Sequence, residues 1–497
     1  MVDVLLTHSY HLCYDRKQVH KMQPYPPLGT LYAAALLRQR GFTVALFDSM
    51  LEPPEQGFAE AVARTRPKVI AIYEDNFNFL SKMCLSRMRE VAFAMLEGAR
   101  SCGSKIVVNG SDATDHVLEY LERGADYVLL GEAEWTLLEL TESLMSRSGR
   151  DAKQIAGLAY WDRRNDSLAR TPARPLMRNL DLLPCPARDL VDIERYRNAW
   201  KQAHGFFSLN LVASRGCPYR CNWCAKPIYG DSFHARSPES VAEEMRQLRE
   251  EFGAEHLWFA DDLFGIQNRW VEEFAGKVEQ RRAALPFKMQ SRVDLMREET
   301  VAALARAGCT EVWMGVESGS QKILDAMEKG IRVEQIADAR ENLRQNGIRA
   351  CFFLQFGYPG ETWGDIQETI QLVRDTRPDD IGVSVSYPLP GTRFHERVRE
   401  QLGKKTNWED SDDLSMMFKG AYTSEFYRAL RDALHAEVES WNERRTWAYS
   451  VRDRSRPYAD DASACVPALW RTVEQLEMTC RNHDATQLPV LVCSAAD

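Results

Sequence analysis

Ser208-Leu209-Asn210-Leu211-Val212-Ala213-Ser214-Arg215-Gly216-Cys217-Pro218-Tyr219-Arg220-Cys221-Asn222-Trp223-Cys224 is the stretch on which the reading of this chain turns. Ser208–Ala213 is short and largely apolar, and reads as a strand. A loop opened by Gly216 and Pro218 follows at once and carries three thiols. Their spacings of four and three residues let one loop wrap three thiolates around a single inorganic centre. A 4Fe–4S cluster normally takes four cysteines; three leave one iron open to chelate a small ligand. The alternative is zinc. Structural zinc is closed by four ligands, and the nearby candidate for a fourth is His234, ten residues beyond Cys224. Zinc motifs also favour paired two-cysteine knuckles, so the isolated triplet favours the cluster.

Working outward, the strand at Ser208–Ala213 opens an alternation of strands and helices. Further strands are expected at His256–Ala260, Phe287–Ser291, Glu311–Val316, Arg349–Phe356 and Ile381–Ser386, with helices such as Pro238–Glu251 and Gln335–Gln345 between them. Six βα units are too few for a closed eight-strand barrel. An open partial (β/α)6 barrel is expected, with chemistry at the C-terminal ends of its strands.

The first 145 residues show a second alternation. Candidate strands are Val2–Leu6, Thr43–Phe47, Val69–Tyr73, Lys105–Asn109 and Tyr127–Leu130. Helical patterns run at Leu31–Arg40, Ala59–Thr65 and Leu80–Gly98, the last placing Leu80, Cys84, Val91 and Met95 on one face. This predicts a doubly wound, Rossmann-like parallel sheet. Ile155–Ala173 reads as a β-hairpin, and Pro172–Pro186 as a linker. From Gly403 the tail is helical, with stripes at Phe426, Leu430, Leu434 and Trp441, and at Val466, Leu469, Trp470 and Val473, read as packing faces. The expected fold is α/β, with domains at 1–150, 151–205 (hairpin and linker), 206–402 (partial barrel) and 403–497 (helical tail).

Bulk properties narrow the function. A chain of 497 residues with a net charge of −9 and no run of Lys and Arg lacks the basic footprint of a nucleic-acid binder. A small molecule or a lipid is the expected substrate. No apolar run approaches a membrane span, and the start has no signal-peptide pattern, so a cytoplasmic location is expected. Of 12 cysteines, nine are scattered singly; Cys13, Cys84, Cys102, Cys309 and Cys351 are expected to be reduced and buried.

The CxxxCxxC loop after the first barrel strand resembles the radical S-adenosylmethionine superfamily; Trp223 before Cys224 agrees as well. The resemblance implies that Cys217, Cys221 and Cys224 hold a 4Fe–4S cluster. Its open iron would bind the amino and carboxylate groups of S-adenosylmethionine, whose cleavage gives a 5′-deoxyadenosyl radical. An electron donor such as flavodoxin or ferredoxin is implied too. The family's other landmarks follow successive strands: Asp261-Asp262, Arg292, Glu317-Ser318-Gly319 and Gly357-Tyr358-Pro359-Gly360. They imply S-adenosylmethionine contacts at Asp261, Arg292, Glu317, Ser318, Gly357 and Pro359. The chemistry suits this, since Glu317 or Ser318 can hold a ribose hydroxyl and Arg292 a carboxylate.

The first sheet lacks GxGxxG after its first strand, which argues against a dinucleotide. Pro26-Pro27-Leu28-Gly29-Thr30, Asn109-Gly110-Ser111-Asp112-Ala113-Thr114 and Gly131-Glu132-Ala133-Glu134 instead resemble cobalamin-binding radical enzymes, including the anaerobic cyclase of chlorophyll synthesis. Asn109 and Ser111 depart from the common Gly-Gly-Pro. The resemblance implies cobalamin contacts at Leu28, Gly29, Asn76, Gly110, Ser111, Asp112, Thr114, Gly131 and Glu132. DxHxxG is absent, since Asp115 and His116 are adjacent; this implies cobalt without a histidine ligand, its lower side facing the Tyr73–Phe79 loop. The activity implied is radical methylation of an unactivated carbon. The rival is ring formation or rearrangement without methyl transfer. A tRNA methylthiolating enzyme would be expected to have a second cysteine cluster and a basic domain, and neither is seen.

Overall fold

The computed structural model describes residues 1–442 and 462–486, apart from 54–56, 84, 148 and 150. Two α/β layers account for most of it. The first sheet contains β1 (Val4–Thr7), β2 (Val44–Phe47), β3 (Val69–Tyr73), β4 (Lys105–Asn109), β5 (Tyr127–Leu129), β6 (Leu158–Asp162) and β7 (Ser167–Arg170). Its order is β2-β1-β3-β4-β5-β6-β7. The first five strands are parallel, and the β6–β7 hairpin is added antiparallel beside β5. All five residues of β3, Val-Ile-Ala-Ile-Tyr, are buried, as a parallel strand covered on both faces requires. The hairpin therefore continues the first sheet instead of standing apart from it.

The second sheet is wholly parallel. It follows β8 (Ser208–Leu211), β11 (His256–Phe259), β12 (Phe287–Ser291), β13 (Cys309–Glu317), β14 (Arg349–Phe356) and β15 (Asp380–Val385) in chain order. Between β8 and β11, β9 (Ser214–Arg215) and β10 (His234–Ala235) form a separate antiparallel pair. This is the open six-stranded partial barrel expected, with helices against its outer face. The tail helix Ser424–Asn442 buries Phe426, Leu430 and Leu434 in the main core, and Val473 of the helix Ala462–Thr486 joins them.

Two expectations fail. The helix foreseen over Leu80–Gly98 is two helices, Phe79–Lys82 and Ser86–Ala99, separated at Met83–Leu85. Leu85 turns extended and buries its side chain, and the Ser86 N–H donates to the Trp408 carbonyl at 2.9 Å, a contact from a distant segment that no local pattern encodes. Cys84 lies outside the described residues. Cys309 and Cys351 are buried as expected, but Cys13 and Cys102 are exposed, each within a single turn of 3-10 helix, Leu12–Tyr14 and Arg100–Cys102.

Candidate active site: a thiol loop joined to the first sheet

The cysteine loop leaves the barrel at the C-terminal end of β8, and the β9–β10 pair closes its base. Gly216 turns there with φ +79°, and a Cβ on it would lie 2.1 Å from the Ser232 carbonyl oxygen, so only glycine fits. Lys226 Nζ donates to the Cys217 carbonyl at 2.8 Å and to the Tyr219 carbonyl, and pairs with Asp231 at 2.9 Å. One ammonium thus satisfies carbonyls that an irregular loop leaves without backbone partners. Asn222 fixes the other side. Its N–H donates to the Met327 carbonyl and its Nδ2 to the Ala326 carbonyl, while its Oδ1 accepts from Tyr358 Oη at 2.8 Å.

The three thiols are half-buried and free of disulfides. Burial, and then the charges of Cys221 and Cys217, push the Cys224 thiol up to about 12. Burial raises Cys217 as well. Cys217 and Cys224 so placed resist ionising together unless a cationic centre sits beside them. Among the described residues no three His, Cys, Asp or Glu side chains converge on one point as a mononuclear ion needs, whereas a cubane takes one thiolate per iron. The buried Trp223 Nε1–H has no acceptor among the described residues and is available to a sulfur. On these grounds the residues fit a cluster.

The barrel landmarks have different surroundings. Arg292 is buried with Nη1 4.0 Å from Cys221 Sγ, its guanidinium 3.7 Å above the Tyr219 ring and Nε on Asp294. Glu317 has φ +65° at a register shift in β13, and Oε1 accepts from the buried Lys329 Nζ at 2.7 Å. Asp261 is turned to the loop base, where it accepts from Ala213 N and Ser214 Oγ; burial raises its carboxyl to about 7. Ser318 Oγ faces Thr369 Oγ1 at 3.2 Å and accepts from Ser320 N, so it packs the rim against the helix Trp363–Thr376. Gly357 N donates to Glu361 Oε2. Pro359 is exposed. Of the six, Arg292 is the one with a direct contact to a cysteine of the loop among the described residues.

At the C-terminal edge of the first sheet the side chains bind one another. Leu28 is fully buried, and Gly29 N donates to Asp75 at 2.9 Å; a Cβ on Gly29 would lie 3.1 Å from Asn76 N. Asn76 donates to Asn109 at 2.8 Å, and Asn109 reaches on to the Leu129 and Gly131 carbonyls. Asp112 pairs with Arg89 and accepts from Tyr120 Oη. Thr114 Oγ1 donates to the Gly110 carbonyl at 2.8 Å. Glu74 fills the space where a Gly110 Cβ would be, 2.8 Å away.

Arg215 joins the two regions. It is 3 % exposed at its side chain, and its Nη1 and Nη2 donate to Glu132 and Glu134, at 2.5 and 2.8 Å. The rings of Tyr32, Phe77 and Tyr229 surround the guanidinium, with centroids 5.5, 5.3 and 5.1 Å away. Burial opposes its charge, and the carboxylates of Glu134 and Glu132 outweigh burial, holding it protonated. Glu132 also accepts from Met177 N at 2.6 Å.

Comparison with known proteins agrees with this geometry. The Radical SAM superfamily model matches residues 211–373, and the B12 binding domain model matches residues 22–141. The chain thus carries a B12-binding segment followed by a radical S-adenosylmethionine segment. An uncharacterized methyltransferase of Pyrococcus horikoshii is 28 % identical over 424 residues, covering 81 % of this chain and 88 % of that protein. The anaerobic magnesium-protoporphyrin IX monomethyl ester cyclase of Cereibacter sphaeroides is 25 % identical over 390 residues, covering 76 % of this chain and 61 % of the cyclase. The fold is shared with the radical S-adenosylmethionine methyltransferase TsrM of Kitasatospora setae, solved with cobalamin and a 4Fe–4S cluster. The TM-score is 0.66 at 20 % identity, over 80 % of this chain and 78 % of TsrM.

For this B12-binding sheet the test of fit is Ser111. Its Oγ is buried beside Gly110 with no hydrogen-bond partner among the described residues. A buried hydroxyl left so costs about 1–3 kcal/mol, which a polar group of a ligand would relieve. Sequence reasoning missed Arg215, Lys226, Asn222, Tyr358 and Lys329. Arg215 lies two residues before Cys217, and Lys226 and Lys329 meet their partners within 12 residues, whereas Asn222 and Tyr358 find theirs in distant segments.

Proposed function

We propose that this enzyme methylates an unactivated carbon of a small molecule or lipid. The observation that carries this reading is the Arg215 link, through which the B12-binding sheet grips the segment leading into Cys217. Methyl delivery next to a radical centre needs that adjacency; corrinoid storage does not. The similarity to a methyltransferase over most of both chains supports the same reading. When bound, the cluster with S-adenosylmethionine supplies one-electron chemistry that takes hydrogen from inert C–H bonds, and cobalamin supplies a transferable methyl group.

The chain's own residues hold and orient. Cys217, Cys221 and Cys224 are the cluster ligands. Arg292, with Nη1 toward Cys221 and Nε fixed by Asp294, presents its remaining donors to the carboxylate of S-adenosylmethionine. Glu317, positioned by Lys329, accepts from a hydroxyl of the same ligand. Asp261 stiffens the loop base, and Gly357 and Pro359 shape the rim. Leu28, Gly29, Asn76, Gly110, Ser111, Asp112, Thr114, Gly131 and Glu132 form the corrin-facing edge, with no histidine ligand to cobalt. A reductant of the flavodoxin or ferredoxin kind in the cytoplasm serves the cluster. No described helix is long and apolar enough to cross a membrane.

The test is anaerobic reconstitution with iron, sulfide and hydroxocobalamin, followed by dithionite and methyl-labelled S-adenosylmethionine in the presence of a metabolite extract. 5′-Deoxyadenosine, bound corrin absorbance and label in an extract component are expected. Failure to take up any corrinoid overturns the reading. A new ring without label would favour the second reading, which rests on the cyclase similarity.

A further inference from the structure

We propose that the lumen of the six-stranded sheet binds a flat or extended apolar substrate bearing an anionic group, and that Lys288 is the partner of that anion. This rests on the methyl-transfer reading and deepens it by naming the substrate class. Side chains alternate across each strand. On the outer face Phe287, Met289, Val312 and Met314 are fully buried in the main core. On the opposite face Trp258, Lys288, Gln290, Trp313 and Phe353 are only half-buried.

The walls are aromatic. Trp313 and Phe353 stack at 4.8 Å, and the bare Cα of Gly382 leaves room for them, since a Cβ would lie 3.0 Å from Phe353 Cδ1. Tyr25 and Trp258 pack at 4.8 Å, and Lys288 Nζ stands 5.7 and 5.9 Å from their centroids. This ammonium has three N–H donors. Among the described residues Gln23 Oε1, at 3.0 Å, is its hydrogen-bond acceptor, and no carboxylate pairs with it. The nearby Glu311 is taken up by Arg349 and by Trp313 Nε1.

A cation desolvated among rings and left without a counter-ion is costly unless a ligand supplies one. Burial lowers the Lys288 ammonium to about 8; Glu311 and Cys351 act against the shift, and Lys21 and Arg349 add to it. Arg292, beside Cys221, lies four residues further along the strand direction, about 13 Å at roughly 3.3 Å per residue. The cysteine-loop end of the sheet is therefore about that far from the anion's partner.

A matched pair of probes tests this: 1-pyrenebutyrate and the neutral 1-pyrenebutanol, titrated by fluorescence anisotropy into the reconstituted enzyme. At pH 7 the anion is expected to bind about tenfold more tightly, as ~1.4 kcal/mol of charge pairing gives. The preference should fade as the pH rises past 8. Lys288→Met should abolish the preference and keep the alcohol's affinity, and Trp313→Ala should weaken both probes. Retained iron content and near-UV circular dichroism show that each variant folds. Equal binding of the two probes to the wild type, or a preference surviving in Lys288→Met, overturns the proposal. Should Lys288→Met fail to fold, the wild-type pH profile decides alone. These readouts need no turnover, so loss of methyl transfer and loss of anion selectivity remain separate results.

Discussion

The C-terminal edges of the two sheets hold their polar groups in opposite ways. At the barrel rim three thiols stand half-buried and free of disulfides, and burial pushes Cys217 and Cys224 up. At the edge of the first sheet, Ser111 apart, the polar side chains named are held by other protein groups: Asn76 by Asn109, Asp112 by Arg89, Glu74 by the Ser9 N–H, and Glu132 by Arg215. Ligands that donate electron pairs to a metal must be left available. A bed for a large macrocycle needs shape, and its side chains work by fixing loops. The first kind of site is written in residue identity and the second in geometry.

The largest effect tests the rim. Replacing Cys217, Cys221 and Cys224 together by Ala should remove all bound iron and all cleavage of S-adenosylmethionine, with corrin uptake retained. Full iron content and the brown anaerobic chromophore in that variant would break the contrast.

The next test concerns the join. Arg215→Met leaves Glu132 and Glu134 buried without their cation, which should cost about 3–5 kcal/mol by urea denaturation. Cluster content should fall as well, because the strand before Cys217 loses its hold. An unchanged urea midpoint would mean that the two edges are energetically independent.

Asp261 sharpens the comparison through pH. Its folded carboxyl titrates at about 7 against 3.8 in the unfolded chain, so the folded state holds the proton more tightly. Its contribution is complete below 3.8 and is lost as the pH rises toward 7. Asp261→Asn should flatten that part of the stability–pH curve; a curve identical to wild type would place the titration elsewhere.

Gly110→Val probes shape alone. The new side chain meets Glu74 first, whose carboxylate accepts from Ser9 N. Corrin affinity should drop about tenfold, the loss of ~1.4 kcal/mol, with iron content unchanged. Absorbance titration with hydroxocobalamin reads this, and a parallel loss of iron would show that the two sites are not separable.

The smallest effects lie with the scattered cysteines. Cys309→Ala should cost about 1–3 kcal/mol and Cys13→Ala within about 0.5, since one is buried and the other exposed. Both should keep full iron content.

The sequence alone determined the strands that matter. β3, β4, β12 and β14 lie at the residues read from pattern, because a buried parallel strand is a short apolar run bounded by breakers. It determined the thiol loop too, since spacing on one loop is local information. Only the tertiary structure decided which polar groups were already occupied. Asp261 and Ser318 looked like ligand groups and are turned to the loop base and to the helix Trp363–Thr376. Arg215 had no role read from its surroundings and joins two sheets. Leu80–Gly98 looked like one helix and is broken where Ser86 meets Trp408. The physical reason is common to all of them: a hydrogen bond or ion pair depends on a partner far away in the chain, whereas hydrophobic periodicity depends only on neighbours.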